Sequence, residues 1–331
     1  MTETITPRPP YASTAVRPQW TDLPPWVREL IGHRLGGPVA AGPSAGGGFT
    51  PGFAALVRGP AGAEFVKAVD AVAHPYIADC YRREAAINRA LPAAVPAPAL
   101  RWAEESAGWV VLGFDPVPGA RMPADPWRPA ELAAALDACA ALAQALASPS
   151  PQLLALGLKP LRPEPGEDDF DDWRKLAGGA PGADLLPGWF PPALIEPLAA
   201  LEADWVAATA GDAVLHEDLR RDNIVLDSGG RAWICDWNWP RLGASWFDLT
   251  LLLATARADG HDADRLFAAH PAARGAAPEQ LDCALAAVTG YFLRAGAQPD
   301  PPAGSRMLRR HQTWSGEVTL RWLAGRRGWR V

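Results

Sequence analysis

Lysine is nearly missing. The 331 residues hold three lysines (Lys67, Lys159 and Lys175) against 28 arginines, with alanine abundant, a bias that fits a coding sequence rich in G and C. Each surviving lysine is therefore more informative than usual. Cysteine is also sparse: Cys80, Cys139, Cys235 and Cys283 lie far apart with no CxxC pair, which excludes a zinc ribbon or a disulfide framework. Free thiols in a reducing cytoplasm are the expectation. No basic excess exists, since the net charge is −6, so a nucleic acid is not expected as main partner. No apolar run reaches the ~18 residues a membrane span needs, and residues 1–19 are rich in Pro and Thr without the apolar stretch of a signal peptide. These absences predict a soluble, cytoplasmic protein with neither a membrane nor a nucleic-acid partner. They leave its oligomeric state open.

What is present is a core. Hydrophobic residues make up 49% of the chain and charged residues 21%, enough for one large domain or two lobes around a cleft. Residues 1–20 read as a flexible arm. Residues 24–35 suit a short amphipathic helix, with Trp26, Leu30 and Ile31 on one face and Gly36-Gly37 as its stop. Three antiparallel strands are predicted within residues 38–70, with a Gly-rich turn at 42–48 and another at 59–62. A helix over 77–90 follows, stopped by Leu91-Pro92, then an apolar strand over 109–114. Past the break at 115–119 the pattern turns helical, with helices expected over 129–147, 192–209, 246–257, 278–296 and 304–325. The predicted class is α+β: a flexible arm (1–20), a small antiparallel β-rich N-lobe (21–115) and a larger, mostly helical C-lobe (116–331).

The densest chemistry lies in residues 214–237, V-L-H-E-D-L-R-R-D-N-I-V-L-D-S-G-G-R-A-W-I-C-D-W. His216-x-Asp218 is followed by Asn223 and, thirteen residues on, by Asp236. Two strand-like segments flank Ser228-Gly229-Gly230, so a hairpin brings Asn223 and Asp236 to one end. Two oxygen ligands beside a third carboxylate is the set that magnesium chemistry on a triphosphate uses. With Gly243-x-x-Trp246-Phe247-Asp248-Leu249 downstream, the segment resembles the catalytic core of the aminoglycoside phosphotransferase and choline kinase superfamily, the small-molecule branch of the protein kinase-like fold. The resemblance implies a two-lobed kinase-like fold. It also implies an acceptor-orienting base at Asp218, Mg²⁺ held by Asn223 and Asp236, ATP or GTP as donor, and a small-molecule alcohol as acceptor. Arg220 is a candidate for neutralising the γ-phosphate. Glu217 stands where aminoglycoside kinases often have Gly, with a side chain expected to face solvent. Asp248 is expected to brace the catalytic loop.

The N-lobe supplies the complementary half. Lys67 lies mid-strand among apolar neighbours, where a charge needs a partner, and Glu84 stands seventeen residues on in the next helix. The resemblance implies that Lys67 contacts the nucleotide phosphates and Glu84 holds it. Ser44, Gly46 and Gly47 sit where a phosphate-covering loop belongs, although the stretch matches neither G-x-G-x-x-G nor Walker A. By position, the backbone of Gly113, Phe114 and Asp115 is expected to meet the adenine. For the acceptor there are two candidate groups. One is the acidic run 167–172, including Asp168 and Asp169, which would favour an amine-bearing substrate but is by default a solvated loop. The other is His311, Trp314 and Glu317 on one face of the last helix, as a substrate wall or as helix packing. Two rivals are a nucleotide-binding pseudokinase and a protein kinase. The first is disfavoured because every expected polar residue is present. The second is disfavoured because Asp236 lies too close to Asp248 for an activation segment. An antibiotic or another natural product is the acceptor favoured by composition.

Overall fold

The computed structural model describes residues 6–162, 170–183, 186–301 and 304–331. Its N-lobe is a five-stranded antiparallel sheet in the order β1-β2-β3-β5-β4. The strands are β1 (Ala40–Ala41), β2 (Phe53–Gly59), β3 (Gly62–Asp70), β4 (Leu100–Ser106) and β5 (Trp109–Phe114). Alternation assigns its two faces. Phe53, Ala55, Val57, Val66, Ala68 and Val111 pack against Leu23 and against Val27 and Ile31 of α1 (Pro25–Arg34). Proline at the first helical position opens α1, and Gly36 in a left-handed conformation (φ +80°) follows its end. Ile31 is fully buried there, so Ile31→Ala costs about 2–5 kcal/mol. On the opposite face Val69, Val110, Leu112 and Phe114 meet Ala78, Tyr81 and Ala85 of α2 (Pro75–Ala90). Lys67 shares the odd-numbered face of β3 with Val69 and so points at α2.

The C-lobe gathers around α10 (Pro278–Gly296) and α11 (Met307–Arg327), which pack together along their lengths, with α8 (Phe247–Ala258) against both. Leu285, Leu252, Leu253, Val318, Leu320 and Leu323 are among the buried side chains of this core. α3 (Pro129–Leu146) lies on two short ribbons, β6–β9 (Ala213–Leu215 with Arg241–Gly243) and β7–β8 (Ile224–Leu226 with Ala232–Ile234). Among the described residues α3 is the one helix long and apolar enough to cross a membrane, although Glu131 and Asp137 interrupt its apolar run. Its buried residues, including Leu132, Ala135, Cys139, Leu142 and Leu146, belong to the main core. The helix expected over 192–209 is instead a 3₁₀ turn followed by α6 (Ile195–Ala203) and α7 (Trp205–Ala208). Short helices α4 (Pro151–Leu154), α5 (Asp172–Ala177) and α9 (Ala263–Ala269) complete the lobe. The four cysteines are free.

Residues 6–20 differ from the expected arm. Tyr11 is buried, with 4% exposure, among Phe49 and the C-lobe core. Arg8 pairs with Asp125 and Asp259, and Arg310 donates to the carbonyls of Pro7 (2.7 Å) and Arg8 (3.1 Å). A polar, Pro-rich composition hides these contacts because their partners lie tens to hundreds of residues away.

Candidate active site

The catalytic segment is shaped by backbone contacts that converge on two residues. Asp248, in the first turn of α8, accepts the N–H groups of His216 and Glu217, both at 2.8 Å. This bracing is what the sequence predicts for it. His216 is fully buried. Its Nε2 donates to the Cys235 carbonyl (2.8 Å), and its Nδ1 receives the Asp218 N–H (3.3 Å). Burial lowers its pKa, so the ring stays neutral and ties the Asp218 loop to the strand that carries Asp236. Cys235 in turn donates its N–H to the Asn223 carbonyl (2.9 Å), which fixes Asn223 beside the residue that precedes Asp236.

Two non-glycine residues of the segment, Glu217 (φ +67°) and Asp236 (φ +64°), adopt left-handed backbone. Such conformations cost a non-glycine residue about 1–2 kcal/mol and persist where surrounding contacts fix them. This explains why glycine suits position 217. The Glu217 side chain does not simply face solvent: it pairs with Arg241 at 3.3 Å, and burial pushes its pKa to about 7.

Lys67 joins the lobes. Its Nζ donates to both Glu84 oxygens (2.7 and 2.9 Å) and to Asp236, which lies 169 residues away. Burial alone would lower the lysine pKa, but Asp236 and Glu84 outweigh it and hold the ammonium charged. Burial also opposes ionisation of Asp236, yet Lys67 brings its pKa down to about 2. Asp236 is thus a permanent anion at neutral pH.

A second cluster surrounds Asp218. Arg220 reaches both its oxygens (2.5 and 2.6 Å) and also grips Asp222 (3.0 and 3.1 Å), while the Asn223 amide donates to the Asp218 carbonyl and to its Oδ2 (2.7 and 3.0 Å). Burial and the neighbouring Asp222 and Asp236 nevertheless push the Asp218 pKa up to about 6, against Arg220 and Asn223. Arg220 therefore holds the Asp218 carboxylate here instead of standing free for a phosphate.

Asn223 presents its amide nitrogen to Asp218, which leaves its Oδ1 as the atom available to an ion near Asp236. Among the described residues, no three His, Cys, Asp or Glu converge as a metal centre. An amide oxygen and one carboxylate suit Mg²⁺, which completes its shell with phosphate oxygens and water. The residues fit that ion.

Other candidates fall differently. Ser44 donates its hydroxyl to the Pro18 carbonyl (2.5 Å), Gly46 accepts the Ala15 N–H (2.8 Å) and Gly47 accepts from Arg17 (3.1 Å). A Cβ at Gly46 would lie 2.1 Å from the Ala12 carbonyl oxygen, so this glycine admits the N-terminal segment. Gly113 and Phe114 pair within the sheet on both sides, and Asp115 donates its N–H to the Ala99 carbonyl (2.8 Å), so that donor is already used. Asp168 and Asp169 lie outside the described residues. Glu167 does too, and the described part of that run is not a solvated loop: Phe170 packs on Trp205 and Tyr291, Asp171 pairs with Lys175 (2.6 Å), and Asp172 pairs with Arg294.

His311, Trp314 and Glu317 do share a face, and residues 6–11 cover it. Tyr11 places its hydroxyl 2.8 Å from His311 Nδ1, Arg8 sits 4.9 Å over Trp314, and Glu317 accepts the N–H and hydroxyl of Thr6 (2.6 and 2.9 Å). Burial and the nearby Arg220 push the His311 pKa down to about 3. Sequence reasoning missed Arg8, Tyr11, Arg17, Asp125, Asp222 and Asp259, because nothing local marks them.

The pattern of the phosphotransferase enzyme family matches residues 59–282, more than half of the chain and a span that includes Lys67, Glu84, Asp218, Asn223, Asp236 and Asp248. The chain belongs to the phosphotransferase enzyme family. Solved structures agree on the fold. Aminoglycoside phosphotransferase APH(4)-Ia superposes at a TM-score of 0.57 with 14% identity, over 90% of this chain and 97% of that one. Choline kinase LicA from Streptococcus pneumoniae gives 0.55 with 15% identity, over 91% and 98%. An aminoglycoside 2'-phosphotransferase bound to GDP gives 0.54 with 16% identity, over 88% and 91%. No curated protein matches in sequence. This phosphotransferase has the two-lobed protein kinase-like fold, and its family places it among the small-molecule kinases.

Proposed function

We propose that this phosphotransferase moves the γ-phosphoryl group of ATP or GTP to a hydroxyl of a small molecule, with an antibiotic or another natural product as the favoured acceptor. The observation that carries the reading is the Lys67 bridge, which sets an N-lobe cation and its Glu84 partner against Asp236, with Asn223 and Asp218 beside it. In this mechanism Lys67 holds phosphate oxygens and Glu84 fixes Lys67. Asp236 and Asn223 would hold Mg²⁺, which would supply positive charge against the triphosphate. Asp218, ionised above about pH 6, orients the acceptor hydroxyl and takes its proton. The acceptor oxygen then bonds to the γ-phosphorus as the bond to the β,γ-bridging oxygen breaks, and the nucleoside diphosphate leaves. Rate comes from positioning and charge neutralisation.

Solved relatives of similar fold bind ADP with hygromycin B, or GDP, which supports testing both purine donors. The free, separated cysteines support a reducing compartment such as the cytoplasm. Mass spectrometry of reactions with ATP or GTP, Mg²⁺ and a panel of alcohol-bearing metabolites tests the proposal. Gain of one phosphoryl group by an acceptor is the expected result. Absence of both a phosphorylated product and Mg²⁺-dependent nucleotide binding overturns it.

A further inference from the structure

The N-terminal segment is clasped to both lobes. Residues 6–11 grip the C-lobe: Thr6 binds Glu317, Arg8 binds Asp125 and Asp259 and lies over Trp314, and Tyr11 meets His311. Residues 15–18 grip the Gly-rich loop: Ala15 donates to Gly46 (2.8 Å), Arg17 donates to Gly47 and Gly52 (3.1 and 2.7 Å), and Pro18 accepts from Ser44. The loop itself reaches across. Phe49 stacks on His311 (5.1 Å), sits 5.3 Å from the Arg220 guanidinium and accepts the Ser305 N–H (3.1 Å). Beneath these contacts the space beside Arg220 shrinks to a void of about 20 Å³, lined in part by Leu251, Phe292, His311, Trp314 and Thr319. That is room for about one water molecule, so no acceptor of drug-like size fits against Arg220 on this side.

We propose that residues 6–19 form an intramolecular strap that gates the α11 side of the cleft, and that the strap must release before an acceptor can approach Asp218 along α11. The proposal rests on the phosphotransfer reading for the meaning of the cleft. Its energetics suit a gate. The clasp consists of a few polar contacts and one buried aromatic ring, whereas α11 behind it is packed along most of its length. Local opening is drawn from segments with few buried apolar contacts. Release also leaves no orphaned carboxylate pair, because Arg221 stays on both Asp125 and Asp259 when Arg8 departs.

The test uses the full chain and the double variant Arg8→Ala with Tyr11→Phe, which removes the ion pairs and the phenol contact but keeps the ring. Arg34→Ala, which breaks a surface pair with Glu104 on the N-lobe, is the control. Hydrogen exchange is the readout independent of activity. The amides of Thr6 and Ala15 should exchange at least tenfold faster than those in the middle of α11, and the variant should speed them by roughly another tenfold while α11 is unchanged. The second readout is hydrolysis of Mg-ATP with water as acceptor, expected several-fold faster in the variant at unchanged KM for ATP. Strap amides that exchange only as slowly as α11 overturn the gate, as does turnover equal to or below wild type despite faster exchange. Failure of both proteins to bind or hydrolyse nucleotide counts against the phosphotransfer reading instead, and exchange then decides the strap alone.

Discussion

Two clusters of the same make-up face each other in this site. Lys67 lies between Glu84 and Asp236, and Arg220 lies between Asp218 and Asp222. Each is one cation shared by two carboxylates, yet Asp236 is held near pKa 2 and Asp218 near 6. The ammonium of Lys67 presses on Asp236 strongly enough to overcome burial. Around Asp218, burial combines with two further carboxylates and outweighs the guanidinium. Titratable groups whose environments drive them apart divide the labour of a site: the lower one remains an anion for a cation to use, and the higher one is matched to taking a proton near neutrality.

The largest test of that division replaces one carboxylate at a time. Asp218→Asn should cut kcat by about 10²–10⁴-fold while nucleotide affinity, read by calorimetry, stays near wild type. Asp236→Ala should instead abolish the Mg²⁺ dependence of nucleotide binding. If both variants lose the same property, the two clusters are not distinct. Next in size, Lys67→Ala should lower kcat/KM for the nucleotide by roughly 10²-fold, because a charge-assisted contact to phosphate is lost and Glu84 is left buried without its cation. Lys159→Ala and Lys175→Ala remove the same charge and should stay near wild type. Equal effects from all three would remove Lys67 from the site.

The pH profile sharpens the comparison further. A base must be unprotonated, so kcat/KM should fall as pH drops through about 6, where Asp218 gains its proton. Arg220 favours the ionised form, so Arg220→Gln should move that acid limb to higher pH. A limb that stays in place would mean that Arg220 acts elsewhere. The smallest expected effect is at Glu217, outside both clusters. Glu217→Gly relieves left-handed strain but loses the pair with Arg241, so urea unfolding should show a net gain of about 1 kcal/mol or less. A marked loss would show that the pair outweighs the strain.

How much of this was legible follows from where each residue's partners lie. Asp218, Asn223 and Asp236 are arranged by local turns and a hairpin, so spacing alone brought them together. Lys67 and Glu84 were legible because a mid-strand lysine demands a partner and the next helix supplies one. The edge strand β4 escaped notice because its sequence, Leu-Arg-Trp-Ala-Glu-Glu-Ser, is half solvated and shows no apolar run. Arg8 and Tyr11 escaped for a different reason. Their meaning lies wholly in Asp125, Asp259 and His311, and no short-range pattern records a partner 117, 251 or 300 residues away.

The bond from Cys235 to Asn223 also bears on the order in which the molecule assembles. Asn223 and Asp236 close a loop of thirteen residues, whereas Lys67 reaches Asp236 only by closing one of 169. On chain entropy alone the longer closure costs roughly 2 kcal/mol more. The ribbon flanked by Asn223 and Asp236 is therefore suited to form early, as a local nucleus inside the C-lobe. The lysine then docks late, when the N-lobe sheet settles against it, so folding speed should respond to changes in the ribbon and unfolding speed to changes at Lys67.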